Sequence, residues 1–332
     1  MDGQEELLVS VVVCTFNRSA LLDVCLESLA AQKANGKLWE VVIVDNGSTD
    51  DTGCVAGRYV KANANFRVTV ETEIGLSRAR NRGYREAAGR YVAYIDDDAR
   101  ARPDWVSVMT DFIRRNPGVS AFGGPDYGYA HSDRPGWLPP EYMWTELDPA
   151  RGRERIIRFP GERYTGCNMV FRRDVLESFG GFDADLGMSG AGIGYGEETN
   201  LLLALQHAGH SIWYVHDLKV DHLIQKHKMS LWWNLRSFYE NGRTYDRTVN
   251  RGYGLLMRIF RLFGAAAVGV IQFANPRVMP LKRRLYYALR YPVSEMGACV
   301  TYAENLKKRS FPYRATGREK DFGCKRPMID DG

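Results

Sequence analysis

Four apolar runs of strand length alternate with helix-period stretches over the first hundred or so residues, and this alternation leaves the chain few folds to adopt. Val9–Cys14 precedes Ala20–Gln32, whose apolar positions 21, 22, 25, 26 and 29 recur at helical spacing, with Ser19 as the expected N-cap. Val41–Val44 precedes a short helix reaching about Lys61, and Phe66–Glu71 precedes a helix over 75–88 stopped by Gly89. Tyr91–Ile95 is the fourth run. Strand and helix alternating through short loops, with no hairpin signal, define a mainly parallel sheet with helices on both faces. The predicted class is α/β with a Rossmann-like central sheet.

Each of these strands ends in polar residues on the same edge of the sheet. Thr15-Phe-Asn-Arg18 follows the first, Asp45-Asn-Gly-Ser-Thr-Asp50 the second, and Asp96-Asp-Asp98 the fourth. Three carboxylates where a buried strand surfaces repel one another unless a cation or a set of donors faces them. The carboxyl ends of strands in an open α/β sheet are also where ligands bind. For the triplet alone, a solvated acidic turn before the next helix is the favoured reading, and the motifs before and after it reverse that order. In extended chain, Asp96 and Asp98 share one side and Asp97 faces the other.

The pattern loosens after Asp98. Trp105–Arg115 reads as a helix and Val119–Phe122 as a strand, while residues 123–160 are rich in Gly, Pro, Trp and Tyr without sustained period. So long a stretch without regular structure is usually functional, and Trp137, Tyr142 and Trp144 in it would pack on a ligand, form a lid, or fill space beneath a loop. Strands are expected at 164–171, 212–215 and 218–222, and helices at 173–179 and 197–209. Leu231–Val249 reads as a helix. Leu255–Phe273 is apolar but interrupted by Arg258 and Arg261, and its clean stretch falls short of a bilayer span. It suits a helix lying in a membrane interface or one buried against the main domain.

Charge divides the chain. Residues 226–332 carry 21 Lys and Arg against 8 Asp and Glu, a net of +13, whereas residues 1–225 carry a net of −8. The expected organisation is one domain over 1–225, with halves at 1–122 and 123–225, and a helical, basic C-terminal region over 226–332. Such a region is drawn to anionic lipid surfaces. No nucleic-acid-binding module is recognisable, so nucleic acid is not an expected partner. The six cysteines (14, 25, 54, 167, 299 and 324) form no CxxC pair, and the N-terminus is acidic with no basic n-region. The expectation is a reducing, cytoplasmic compartment, with peripheral attachment to the inner face of the membrane if the C-terminal region touches lipid.

Taken in order, Val-Val-Val-Cys-Thr-Phe-Asn-Arg18, Val-Val-Ile-Val-Asp-Asn-Gly-Ser-Thr-Asp50, Gly75-Leu-Ser-Arg-Ala-Arg-Asn-Arg-Gly83 and Tyr-Ile-Asp-Asp-Asp98 closely resemble the nucleotide-sugar-binding half of the family 2 glycosyltransferases, which have the GT-A fold. The resemblance continues through Gly166-Cys-Asn168, Gly180-Gly-Phe-Asp183, Gly196-Glu-Glu198 and Val-Asp-His222, covering roughly residues 8–225. It implies an inverting, metal-dependent transfer of a sugar from a nucleotide-diphosphate sugar to a hydroxyl of a glycan, lipid-linked or small-molecule acceptor.

The resemblance also implies roles. Thr15, Asn17, Arg18, Asp45, Gly75, Arg80, Asp96 and Asp97 would bind the nucleotide sugar, with Asp45 on base or ribose, Arg80 on the diphosphate and Asp96 toward the ribose. Asp98, with His222, would hold Mn2+ or Mg2+, hard cations that pair carboxylates with substrate phosphates. Gly166, Asn168 and Trp137 would meet the sugar or the acceptor. Glu198 would be the general base and Glu197 its support, although the family usually carries Glu-Asp here, so this chain's second acid is one methylene longer. A sugar-1-phosphate nucleotidyltransferase and a non-catalytic carbohydrate- or membrane-binding scaffold are the alternatives, since both share the sheet. The first would want a Gly-rich basic loop after the first strand, which Thr15-Phe-Asn-Arg-Ser19 is not.

Overall fold

The computed structural model describes residues 7–310 except 148, 160, 191, 250–252 and 276–279, and the side chains of 144, 149 and 307–310 fall outside that description. The first half follows the alternation: β1 (Val9–Thr15), α1 (Ser19–Ala30), β2 (Trp39–Asp45), α2 (Thr52–Ala62), β3 (Phe66–Val70), α3 (Leu76–Glu86) and β4 (Tyr91–Asp96). The chain continues through β5 (Ala99–Ala101), α4 (Trp105–Arg115), β6 (Ala121–Gly123), β7 (Asp126–Tyr129), β8 (Trp144–Thr145) and β9 (Glu154–Ile157). Then come β10 (Asn168–Arg172), α5 (Arg173–Ser178), α6 (Glu197–His207), β11 (Ile212–Val215) and β12 (Val220–Leu223). Three helices close the described chain: α7 (Leu231–Thr248), α8 (Leu255–Ala274) and α9 (Leu281–Ser310).

An eight-stranded sheet runs β3-β2-β1-β4-β10-β6-β11-β9, in which β3, β2, β1 and β4 are parallel and β10 turns antiparallel against β4. Its central strands β1, β2 and β4 are buried on both faces, so successive side chains enter two different cores. Val11, Val13, Ile43 and Ile95 pack with Leu22, Leu26 and Trp105 on one face. Val12, Val42, Val92 and Tyr94 pack with Ala79, Leu176 and Leu202 on the other. Helix α3 lies so close to β1 that a Cβ on Gly83 would fall 2.3 Å from Val12 Cγ1. This is a GT-A-like α/β fold with helices on both faces of a mostly parallel sheet.

The structure differs from the sequence reading in four places. Ser19 is the first residue of α1 rather than its cap, and its amide donates to Asp50 Oδ2. Residues 123–160 are not without strands: β7 and β8 join β5 and β12 in a second, four-stranded sheet, and β9 edges the main one. These strands are two to four residues long, too short to show a period. The expected strand at 164–171 begins only at Asn168. Finally, α8 runs unbroken for 20 residues through both arginines, and among the described residues it alone is long and apolar enough to cross a membrane. The described cysteines are all free.

Candidate active site

Parallel register brings the strand ends together. Thr15 pairs with Asp45, and Cys14 with Asp96, so the ends of β1, β2 and β4 lie on one edge. A cavity of about 640 Å3 opens over this edge. Of the residues expected there, Thr15, Asn17, Arg18, Gly75, Arg80, Asp96, Asp97, Asp98, Gly166, Glu197, Glu198 and His222 line it.

The three aspartates have different partners. Asp96 is the most open, and its Oδ1 takes a 3.3 Å contact from Arg80 Nη2. Asp97 is buried and accepts from Arg18 Nη1 at 2.9 Å. Burial lifts its carboxyl to about 6 against the pull of Arg18. Asp98 is equally buried, but His222 Nε2 lies 3.0 Å from its Oδ1, and Lys228 Nζ lies 3.5 Å from its Oδ2. Burial opposes ionisation there, yet the His222 hydrogen bond and the two nearby cations hold Asp98 below the ordinary carboxylate range. Asp96, Asp98 and His222 each turn a ligand atom into a cluster in which all such atoms lie within 4.8 Å of one another. Two carboxylates and an imidazole suit a divalent cation that also takes phosphate oxygens. The other face of the imidazole meets Asp126, with Nδ1 3.9 Å from its Oδ2, the kind of second partner that fixes a ligating histidine.

Across the cavity, the start of α6 presents the two glutamates. Gly196, at φ +91°, turns the chain into that helix where a Cβ would fall 2.1 Å from Thr244 Cγ2. Only glycine lets the helix start press against α7 there. Glu197 is buried, and its Oε1 accepts from Arg80 Nη1 at 2.6 Å, while its Oε2 has no protein partner among the described residues. Glu198 is half-buried on the cavity wall. Burial, reinforced by the charge of Glu197, raises its carboxyl from the ordinary 4.5 to about 8.

Some expected residues sit elsewhere. Asn168 is fully buried: its Oδ1 accepts from Trp105 Nε1 at 3.0 Å, and its Nδ2 donates to the carbonyls of Pro125 and Leu218. With its amide spent on the fold, Asn168 does not reach a sugar. Trp137 packs against Tyr286 of α9 in a separate small core. Asp45 lies beside the cavity rather than in its wall, accepting from the Ser48 amide at 2.9 Å, while Asn46 lines it. Arg80, expected on the diphosphate, does line the cavity, where it is buried and bridges Asp96 to Glu197.

Lys228, Asp126, Tyr195 and Trp233 line the cavity without having been read from the sequence. Asp126 does follow a strand, in Gly123-Gly-Pro-Asp126, and carries the same strand-end signal as the other aspartates. Lys228 has no such signal, because only the short turn over Lys226–Met229 swings it back toward Asp98. Lys228 and Trp233 also carry the cavity past residue 225, so its wall crosses that expected boundary.

An edge of aspartates facing two glutamates across a cavity at the strand ends is the arrangement a nucleotide-sugar-dependent transferase needs. The model for glycosyl transferase family 2 matches residues 10–180, and the chain belongs to that family. It is 29% identical over 239 residues to a glucosyl-dolichyl phosphate glucuronosyltransferase of Haloferax volcanii, covering 70% of this chain and 74% of that one. Succinoglycan biosynthesis protein ExoM of Rhizobium meliloti is 25% identical, with 86% and 90% covered. In fold, the chain is similar to the mannosyltransferase PcManGT of Pyrobaculum calidifontis, solved with GDP-Man and Mn2+ (TM-score 0.55, 19% identity, 90% and 75% covered). It is also similar to S. aureus TarS residues 1–349 with UDP-GlcNAc (TM-score 0.54, 18% identity, 90% and 92% covered). The chain is thus a glycosyltransferase that draws its sugar from a nucleotide-diphosphate donor, and the nucleotidyltransferase and scaffold readings fall away.

Proposed function

We propose that the chain transfers a sugar, with inversion at the anomeric carbon, from a nucleotide-diphosphate sugar to a hydroxyl of a lipid-linked glycan. The observation that carries this reading is the placement of the Asp96, Asp98 and His222 cluster and of Glu198 in the walls of one cavity. Asp96, Asp98 and His222 would hold Mn2+ or Mg2+, and the ion would supply charge neutralisation for the departing diphosphate. Arg18, which already contacts Asp97 and Asp98, and Lys228 add positive charge on the same side. Thr15, Asn17, Gly75 and Asp96 would cradle the nucleoside, and Gly166 would stand near the sugar.

Glu198 is the base in this reading rather than Glu197. Glu197 has one oxygen committed to Arg80, whereas Glu198 has a carboxylate whose raised proton affinity suits removal of a hydroxyl proton. The unpartnered Glu197 Oε2 would accept from the acceptor. Direct displacement by the acceptor hydroxyl, the course the family resemblance implies, inverts the anomeric carbon. A lipid-linked acceptor is favoured over a free glycan by the Haloferax relative, whose name specifies a dolichyl phosphate-linked sugar. Residues 1–225 would carry most of the donor site and the base, with 226–248 adding Lys228 beside Asp98 and Trp233 to the cavity wall.

The test is a panel of radiolabelled nucleotide sugars with Mn2+ or Mg2+ and polyprenyl-phosphate-linked sugars as acceptors, the product anomer being read by NMR. Transfer with inverted configuration is expected. Transfer with retained configuration, or donor turnover that ignores every lipid-linked acceptor in favour of free sugars, overturns the reading.

A further inference from the structure

Helix α8 is amphipathic the wrong way round for water. Its stripe at 258, 262, 265, 269 and 272 faces the protein and contains Arg258 and Gln272. Its outward stripe contains Leu256, Phe260, Phe263, Val270 and Ile271, each between 69% and 83% exposed. A surface helix of a water-soluble protein shows the reverse arrangement. Both charges on the helix are drawn inward. Arg258 is buried in an ion pair with Asp246 of α7, and Arg261 Nη2 lies 2.6 Å from Glu295 of α9. Gly269 brings the helix backbone onto α9, where a Cβ would fall 2.4 Å from the Ala288 carbonyl. The helix is therefore held in place by its inward stripe, over about 30 Å of length, with a wholly apolar side left exposed.

We infer that this outer face of α8 docks the protein on a lipid bilayer, lying in the interface rather than crossing it. Crossing would require α8 to leave Asp246 and Glu295 and carry two arginines into hydrocarbon unpaired. A protein partner is less well matched, because such interfaces carry hydrogen bonds and the outward stripe offers no side-chain nitrogen or oxygen. The composition of this part of the chain fits anionic lipid, since residues 226–332 carry a net of +13 in sequence and Lys282, at the start of α9, is exposed. Helix α7 links this face to the cavity: Trp233 lines the cavity, and Asp246, thirteen residues on, holds Arg258. Helical rise puts these two positions about 20 Å apart along α7. A docked protein would hold its active site close to the bilayer surface. The inference rests on α8 and not on the proposed acceptor, and its test needs neither donor nor acceptor.

The experiment is flotation of the purified full chain with vesicles of phosphatidylcholine alone or with 30% phosphatidylglycerol, beside a variant carrying Leu256→Glu, Phe260→Glu and Phe263→Glu. Wild type is expected to float with both, more strongly with the anionic vesicles, and to stay bound in high salt to the anionic ones. The variant is expected to lose about a hundredfold or more in partitioning, because three apolar side chains no longer leave water. Its circular dichroism and melting temperature should be unchanged. Fluorophores on the variants Leu256→Cys, Phe263→Cys and Ile271→Cys should be quenched equally by a headgroup-depth quencher. A variant that floats like wild type overturns the inference, as does complete release of wild type by salt. Deep burial of the central label with the two outer labels near the headgroups indicates a span and overturns the interfacial placement. A wild type that ignores vesicles but is a dimer made monomeric by the variant would assign the face to a second copy of the chain.

Discussion

Arg80 Nη1 lies 2.6 Å from Glu197 Oε1, and through this contact the donor edge of the sheet is joined to the acid helix. The two residues are 117 positions apart and both are buried. Nη2 of the same guanidinium reaches Asp96 Oδ1 at 3.3 Å, so one side chain orients an acid on each wall of the cavity. The forked geometry matters, because a lysine ammonium would reach one partner and not both.

Arg80→Met should leave Glu197 as a buried, unpaired charge. Loss of one partner from such a pair typically costs about 3–5 kcal/mol, which a denaturant melt will show. Arg80→Lys should recover part of the stability but not the turnover, since Asp96 and Glu197 would no longer be held together. Equal kcat for the lysine variant and wild type would refute this role.

Glu198→Gln should lower kcat by about 10²–10⁴ while leaving donor affinity close to wild type. Stability should move the other way. The folded-state carboxyl is raised to about 8 from 4.5, so its protonated form is favoured by folding and that stability is lost as pH rises through this window. The amide cannot ionise, so at pH 9 the variant should be more stable than wild type, by about 1–2 kcal/mol given the side chain's partial exposure. At pH 4 the difference should vanish.

The same carboxyl sets the pH profile. A base must be ionised to act, so kcat/KM should climb with pH and level off above about 8. Glu198→Asp should keep a rising limb at reduced height, and Glu198→Gln should flatten it. A limb that persists in the glutamine variant would reassign the base to Glu197.

Removal of the divalent ion with EDTA should abolish turnover and restore it on addition of Mn2+ or Mg2+. Calorimetric titration of donor should show Asp98→Asn and His222→Ala losing the metal-dependent part of the affinity. Asp126→Asn should lose about tenfold or more in metal affinity without touching the ion, because it orients His222.

Asn168→Ala should behave as a fold variant. It strands the Trp105 indole N–H and two buried carbonyls, at a cost of about 2–4 kcal/mol. The melting temperature should fall, while kcat per folded molecule, by active-site titration, stays near wild type.

The parallel sheet and its acidic edge are legible in the chain because they are local. Val11, Val12 and Val13 mark a strand buried on two faces, and short loops force the crossovers that align Thr15, Asp45 and Asp96. The second sheet was not legible, since strands as short as Trp144–Thr145 gain their order from neighbours distant in sequence. Asn168 looked like a ligand for a related reason: a polar residue at a strand start reads alike whether its amide faces a sugar or Trp105.

By itself, then, the sequence determined the strand–helix alternation, the aspartate edge, the paired glutamates and the divided charge, all set by side chains within a few residues of one another. Tertiary structure alone decided that Arg80 couples Asp96 to Glu197 and that Lys228 faces Asp98. It also decided that the arginines of α8 turn inward while its phenylalanines face out. Those outcomes depend on which elements pack together across more than a hundred residues, and on where a buried charge finds a partner. Neither is encoded in the period of any single segment.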